Sequence, residues 1–241
     1  MHPWVGLSDE VRFPHSTVGR AAPSARNLSG GLCLLRFSRC ELAYPAPVDL
    51  LRTERMILRS WAEQDVAAFF DIYSRDEVAR WLGAHPRHPV SDLEEARKRL
   101  LGWRKFHDGF EAPYGLWAMV PVGLDPLGGG SAAPDDSDVP IGTALLLPLT
   151  DDDGPTDQVE VGWHLHPDFQ GRGLATEAAA ALLAVLPASG PDRVLALTDL
   201  DNTKSQTVAA RLGMVNQGPT DRWFGETLFQ FCWTRPPATG Q

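Results

Sequence analysis

The stretch VEVGWHLHPDFQGRGLATE, residues 159–177, carries two textures in immediate succession. From Val159 to His166 apolar and polar residues alternate with the two-residue period of a half-buried strand, setting Glu160 and His164 on one face and Val161, Trp163 and Leu165 on the other. Gln170-Gly171-Arg172-Gly173-Leu174-Ala175 then breaks the alternation, and Leu174 to Leu186 follows as an alanine- and leucine-rich helix stopped by Pro187. Glycines between a strand and a helix let the chain turn sharply, so that several backbone N–H groups converge where the helix N-terminus adds positive potential. Such a concavity suits a pyrophosphate, and Arg172 adds a cation beside it. Glycine pairs also make ordinary tight turns, so the ligand has to be argued from context. The turn lacks the Gly-Lys-Ser/Thr ending of a nucleoside-triphosphate loop, and Thr176 stands where a dinucleotide fingerprint has its third glycine.

Working outward, Glu54, Met56, Leu58 and Ser60 alternate with Arg55, Ile57, Arg59 and Trp61 as in a strand. Val66, Phe69, Phe70 and Tyr73 form a helical stripe; Ser91 with Glu94 reads as a capping box opening a second helix through Ala96, Leu100 and Trp103. Tyr114 to Val120 and Ile141 to Leu147 are short strands joined by a Gly-, Pro-, Asp- and Ser-rich connection over 121–140, and Asp151 to Asp157 reads as an acidic loop able to attract a cation. Arg193 to Leu197 is the next strand, Ser205 to Leu212 a helix ended by Gly213, and Leu228 to Trp233 a last strand. The order predicts an α+β, mixed α/β layer fold around one sheet. Residues 1–48, dotted with prolines, read as a loosely structured extension, 50–235 as the folded domain and 236–241 as a tail.

A chain of 241 residues, 43% hydrophobic and 22% charged, suits one globular domain with an appendage. Its 22 Lys plus Arg against 31 Asp plus Glu give a net charge of -9 without a basic patch, which argues against a nucleic-acid partner. Cys33, Cys40 and Cys232 form no CxxC pair, so free thiols in a reducing cytoplasm are the simpler reading, a Cys33–Cys40 disulfide the lesser one. No run approaches the ~18 apolar residues of a membrane span, and the N-terminus lacks a signal-peptide pattern; a cytoplasmic protein is expected. His85 and His88, two ligands flanked by prolines, suggest a surface loop, and no metal is assigned. Monomer and homodimer both remain open.

The turn resembles the acetyl-CoA pyrophosphate loop of the GCN5-related N-acetyltransferase (GNAT) superfamily, Q/R-x-x-G-x-G/A, with Gln170, Gly173 and Ala175 in its three places. Leu51 to Arg59 is similar to the opening strand of the branch containing the ribosomal-protein N-terminal acetyltransferases, and Asn202-Thr203-Lys204-Ser205 followed by Leu212-Gly213-Met214 is similar to the family's N-x-x-S and L-G-F/M elements. The resemblance covers roughly 50–235. It implies a GNAT-like fold with a mixed, mostly antiparallel sheet of about seven strands and about four helices. It also implies acetyl-CoA as co-substrate held by Gln170, Gly171, Arg172, Gly173, Leu174 and Ala175, with Asn202 at the pantetheine arm and a backbone N–H near Leu165 for the oxyanion.

Acetyl transfer to an amine needs a base, oxyanion stabilisation and a route to protonate the leaving thiolate. Glu160 is the first candidate base and His164 the second, the alternatives being a solvated glutamate and a core-edge histidine. Ala209 stands where many family members carry a tyrosine acid, so Ser205 becomes the candidate donor to the CoA sulfur, its alternative role being the N-cap of its helix. Nothing resembles an activated cysteine, which favours direct attack on a peptide N-terminus or small amine in a ternary complex. The competing expectation is an acyl-CoA-binding regulatory module with little or no transfer.

Overall fold

Period-two alternation in the strands sorts the core onto the two faces of one sheet. The computed structural model describes residues 47–83, 85–123 and 138–237. Nearly all of the expected extension, Cys33, Cys40, most of the Gly- and Pro-rich connection and residues 238–241 lie outside these. Strands β1 (Asp49–Arg52) and β2 (Met56–Ser60) are followed by α1 (Val66–Tyr73), α2 (Asp76–Ala79) and α3 (Leu93–His107). Then come β3 (Gly115–Pro121), β4 (Gly142–Asp151), β5 (Gly154–Leu165), α4 (Leu174–Ala184), β6 (Arg193–Asp199), α5 (Thr203–Arg211), β7 (Val215–Thr220) and β8 (Leu228–Thr234). One sheet runs β1-β2-β3-β4-β5-β6-β8-β7 and is antiparallel except where β5 meets β6. That pair is parallel because α4 carries the chain from the end of β5 back to the start of β6. The α+β fold is as expected, with β1 and α2 added; each has four residues, too few for a periodic pattern to register.

Leu116 and Ala118 of β3 and Leu145 and Leu147 of β4 meet Phe69, Tyr73, Leu100 and Trp103 from α1 and α3. Their strand neighbours Trp117, Met119, Ala144 and Leu146, with Val161 and Leu165 of β5, pack against Leu174, Ala178 and Leu182 of α4. Arg59, only 2% exposed, survives in this interior because Asp65 accepts two of its N–H groups at 2.7 and 2.9 Å and Asp138 a third at 2.9 Å.

Two local readings change. Helix α3 is capped by Asp92 rather than Ser91: its carboxylate accepts from the Glu95 N–H at 2.9 Å, while Glu95 accepts from the Ser91 N–H and hydroxyl. Both registers fit the capping pattern, and a charged acceptor gains more from the helix N-terminus than a hydroxyl does. The acidic segment from Asp151 to Asp157 is a tight hairpin rather than a loop, since β4 runs to Asp151 and β5 resumes at Gly154 with φ 118°. The Arg222 guanidinium donates to Asp151 at 2.9 and 3.1 Å and holds its carboxyl below the usual range, so this charge is already matched. Among the described residues no helix is long and apolar enough to cross a membrane.

Candidate active site

Between β5 and β6 the described ladder registers Glu160 against Leu195 and no later pair, so the strands splay toward their C-terminal ends. Gly162 to His164 on one side and Ala196 to Asp199 on the other line a cleft of about 110 Å³, joined by Glu160, Asn202 and Ser205. The His166 N–H donates to the Ile141 carbonyl at 2.8 Å. By the alternation of an antiparallel ladder, the N–H groups of Trp163 and Leu165 then point away from β4, toward the gap that β6 has left. A strand edge with outward donors is suited to an extended, amide-bearing ligand arm. The Leu165 carbonyl accepts from Gln170 Nε2 at 3.0 Å, and Gln170 Oε1 accepts from Lys204 Nζ at 3.0 Å, tying strand, turn and α5 together.

Beyond β5, a single 3-10 turn over Pro167–Phe169 leads into Gly171 and Gly173, with φ of 75° and 80°. That left-handed conformation costs an L side chain about 1–2 kcal/mol, which accounts for both glycines. Gly173 is the N-cap of α4, so the first-turn N–H groups of Leu174 and Ala175 have no acceptor within the helix. Among the described residues, nothing lies within 4 Å of the point where a Gly171 side chain would begin. From behind, Arg55 pins it: Nη1 donates to the Arg172 carbonyl at 2.8 Å, Nε to Glu177 Oε2 at 2.7 Å, and the Arg55 N–H to Glu177 Oε1 at 3.0 Å. Burial pushes the Glu177 carboxyl up, but hydrogen bonds from Thr53 and Arg55 together with the guanidinium charge bring it below its ordinary range. The Arg172 guanidinium sits 5.6 Å from the Phe169 ring centroid.

Glu160 and His164 do share the face toward α1 and α3, yet their settings differ. Glu160 is 7% exposed and lines the cleft. His164 is half-buried, its ring centroid 6.0 Å from Tyr73 and 6.5 Å from Trp103, with Nδ1 3.4 Å from the Tyr73 hydroxyl. The Tyr73 hydroxyl in turn lies 2.6 Å from Thr143 Oγ1. Burial pushes the His164 imidazole down to about 3, keeping it neutral and weakly basic.

The N-cap of α5 is Asn202, not Ser205: Asn202 Oδ1 accepts from the Ser205 N–H at 3.1 Å. The helix therefore begins at Thr203, and the Ser205 side chain is released from capping while both residues line the cleft. Ala209 is completely buried, packed in the core beside α4.

Several lining residues escaped the sequence. Thr198 on β6 is 3% exposed and lines the cleft, and its hydroxyl has no hydrogen-bond partner among the described residues. Arg87, Glu226 and Phe224 reach the cleft from segments far apart in the chain, so no local pattern announces them. Arg55 lies within a quoted motif, but its pin on the turn depends on Glu177 and Arg172, more than a hundred residues away.

A family model described as acetyltransferase (GNAT) domain matches residues 55–215, which include the turn, both splayed strands and α5. The chain belongs to the GNAT acetyltransferase family. It is therefore an acyltransferase, and the enzymes of its family use acetyl-CoA. An uncharacterized N-acetyltransferase of Bacillus subtilis, YoaA, is 24% identical over 171 residues, 70% of this chain and 84% of the relative. A GNAT-family acetyltransferase structure from Bordetella pertussis aligns with TM-score 0.55 and 25% identity, covering 77% of this chain and 98% of that one. RimL, a ribosomal L7/L12 α-N-protein acetyltransferase solved with coenzyme A, aligns with TM-score 0.57 and 16% identity over 78% of this chain and 98% of its own. The fold thus stands beside those of the ribosomal-protein branch.

Proposed function

We propose that this GNAT enzyme transfers the acetyl group of acetyl-CoA to a primary amine, a peptide N-terminus or a small amine, by direct attack in a ternary complex. The observation that carries the reading is the continuity of the site. A splayed β5 edge with outward N–H groups at Trp163 and Leu165 runs directly into the Gly171–Gly173 turn, with Glu160 on the same cleft. The turn and the start of α4 are suited to the pyrophosphate, with Arg172 and Lys204 as nearby cations. The Thr198 hydroxyl and the Asn202 side-chain amide, both lining the cleft, are groups suited to hydrogen-bond the amide-bearing arm.

Glu160 takes the proton from the attacking ammonium, directly or through water, before the nitrogen bonds to the thioester carbonyl carbon. The Leu165 N–H stabilises the oxyanion; as the tetrahedral intermediate collapses the carbon–sulfur bond breaks, the Ser205 hydroxyl hydrogen-bonds to the departing thiolate, and the second proton of the nitrogen passes through water to that sulfur. His164, kept neutral by burial and set beside the Tyr73 and Trp103 rings, serves as an oriented neighbour of the site. Release of free thiol from acetyl-CoA, measured across a panel of amines and peptides, tests the proposal: release should depend on the acceptor.

A second reading, a module that binds acyl-CoA without efficient transfer, is favoured by one observation, the fully buried Ala209 in place of the tyrosine acid. Coenzyme A binding with no acceptor-dependent release is its signature.

A further inference from the structure

Resting on the transferase reading above, we infer that the acceptor is a compact primary amine lacking a neighbouring carboxylate, and that a bridge through Arg87 excludes longer peptide chains. The acceptor end of the cleft is walled by Trp81, Leu82 and Gly83 after α2 and by Phe224 and Glu226 in the turn between β7 and β8. An extended polypeptide entering between these two segments meets the contacts that join them. Arg87 donates Nη2 to Glu226 Oε2 at 2.6 Å and Nη1 to Asp199 Oδ1 at 2.8 Å, while the His85 N–H donates to Glu226 Oε1 at 3.0 Å. The same guanidinium holds its own segment through the Gly83 carbonyl at 2.7 Å and the Arg80 carbonyl at 2.8 Å.

With its side chain 6% exposed, Arg87 forms a bridge that is desolvated rather than a surface ion pair. The far side is equally fixed: Phe224 holds φ 62°, an unfavourable conformation for an aromatic residue, and Gly225 follows at 69°. The cleft of about 110 Å³ must also admit the thioester end, and it is small beside the ~300–1,000 Å³ of ordinary ligand clefts.

Charge adds the second selection. Among the described residues, this end of the lining sets the two carboxylates of Asp199 and Glu226 against the one guanidinium of Arg87 that bridges them, so the balance there is negative. An ammonium is attracted there, whereas a carboxylate beside the amine meets like charge. His85, Asp199 and Glu226 have the spacing of a cation site, but Arg87 occupies both carboxylates.

The test is a series that keeps the amine constant: one amino-acid amide, the corresponding free amino acid, and a decapeptide beginning with the same residue. kcat/KM with saturating acetyl-CoA should be at least about tenfold higher for the amide than for either of the others. Glu226→Gln and Arg87→Lys, each checked for coenzyme A binding, should narrow the amide-to-decapeptide ratio several-fold by loosening the bridge. A decapeptide used as well as the amide by the wild-type enzyme overturns the inference and leaves acetyl transfer intact, as does a ratio that neither folded variant changes. The wild-type series decides the size claim even if both variants misfold. Absence of release with every acceptor overturns the transferase reading and this inference together.

Discussion

Replacing Arg55 with methionine keeps most of the side-chain stem and removes the pin behind the phosphate turn. Arg55 is 35% exposed and Glu177 19%, so the pair is screened and contributes nearer 1 kcal/mol than the ~3–5 kcal/mol seen when a fully buried pair is broken. Loss of the 2.8 Å bond to the Arg172 carbonyl adds about 1 kcal/mol. Stability should therefore fall by about 2 kcal/mol, a Tm shift of roughly 4–8 °C for a chain of this size. Part of that energy holds the turn in its binding shape, and without the guanidinium the Glu177 carboxylate behind the turn adds an uncompensated negative charge near the bound pyrophosphate. Together these should raise the Kd for coenzyme A by about 5- to 30-fold, given ~1.4 kcal/mol per decade. Titration calorimetry on Arg55→Met and on Arg55→Met/Glu177→Gln separates the parts, since the double variant removes the repelling charge and should recover several-fold in affinity. Acetyl-pantetheine, which lacks the pyrophosphate, should show an unchanged KM. The reasoning is refuted if the folded single variant binds coenzyme A within about twofold of wild type, or if acetyl-pantetheine suffers equally.

Glu160→Gln should lower kcat by about 10²-fold or more with coenzyme A affinity unchanged, as measured by thiol release and calorimetry. Ala209→Tyr should not restore an acid: the site is completely buried, so the added ring costs roughly 1–3 kcal/mol or more, seen as a lower Tm with no gain in kcat. Because His164 is held down to about 3 against ~6.5 in the unfolded chain, unfolding takes up a proton between these values, and stability present above pH ~6.5 is lost as pH falls. His164→Gln should flatten the decline of the urea midpoint between about pH 7 and pH 4; an unchanged slope would show that His164 is not held neutral.

The segment at 159–177 was legible because each of its signals is local. Alternation in β5 needs only neighbours, and Gly171 and Gly173 stand where positive φ is demanded. Failures occurred where several registers satisfied the same pattern, as with Ser91 and Asp92, or Ser205 and Asn202, and where hydrogen-bond geometry alone distinguishes the cap. β1 leaves no pattern in the sequence because its four half-exposed residues at a sheet edge bury too little. Alternation alone puts Glu160 and His164 on one face, but the environment separating them comes from Tyr73, Thr143 and Trp103 on other elements. The Arg87 bridge joins positions 112 and 139 residues apart, a relation that periodicity cannot carry.

The most direct test of the account is to incubate the enzyme with isotopically labelled acetyl-CoA and an amino-acid amide, following free thiol and the mass of the amide together. The prediction is one labelled acetyl group on the amine nitrogen for each thiol released, with no release when the amide is omitted. Thiol release without a labelled amide, or tight coenzyme A binding with neither product, would contradict a cleft built around Glu160 for transfer to an amine.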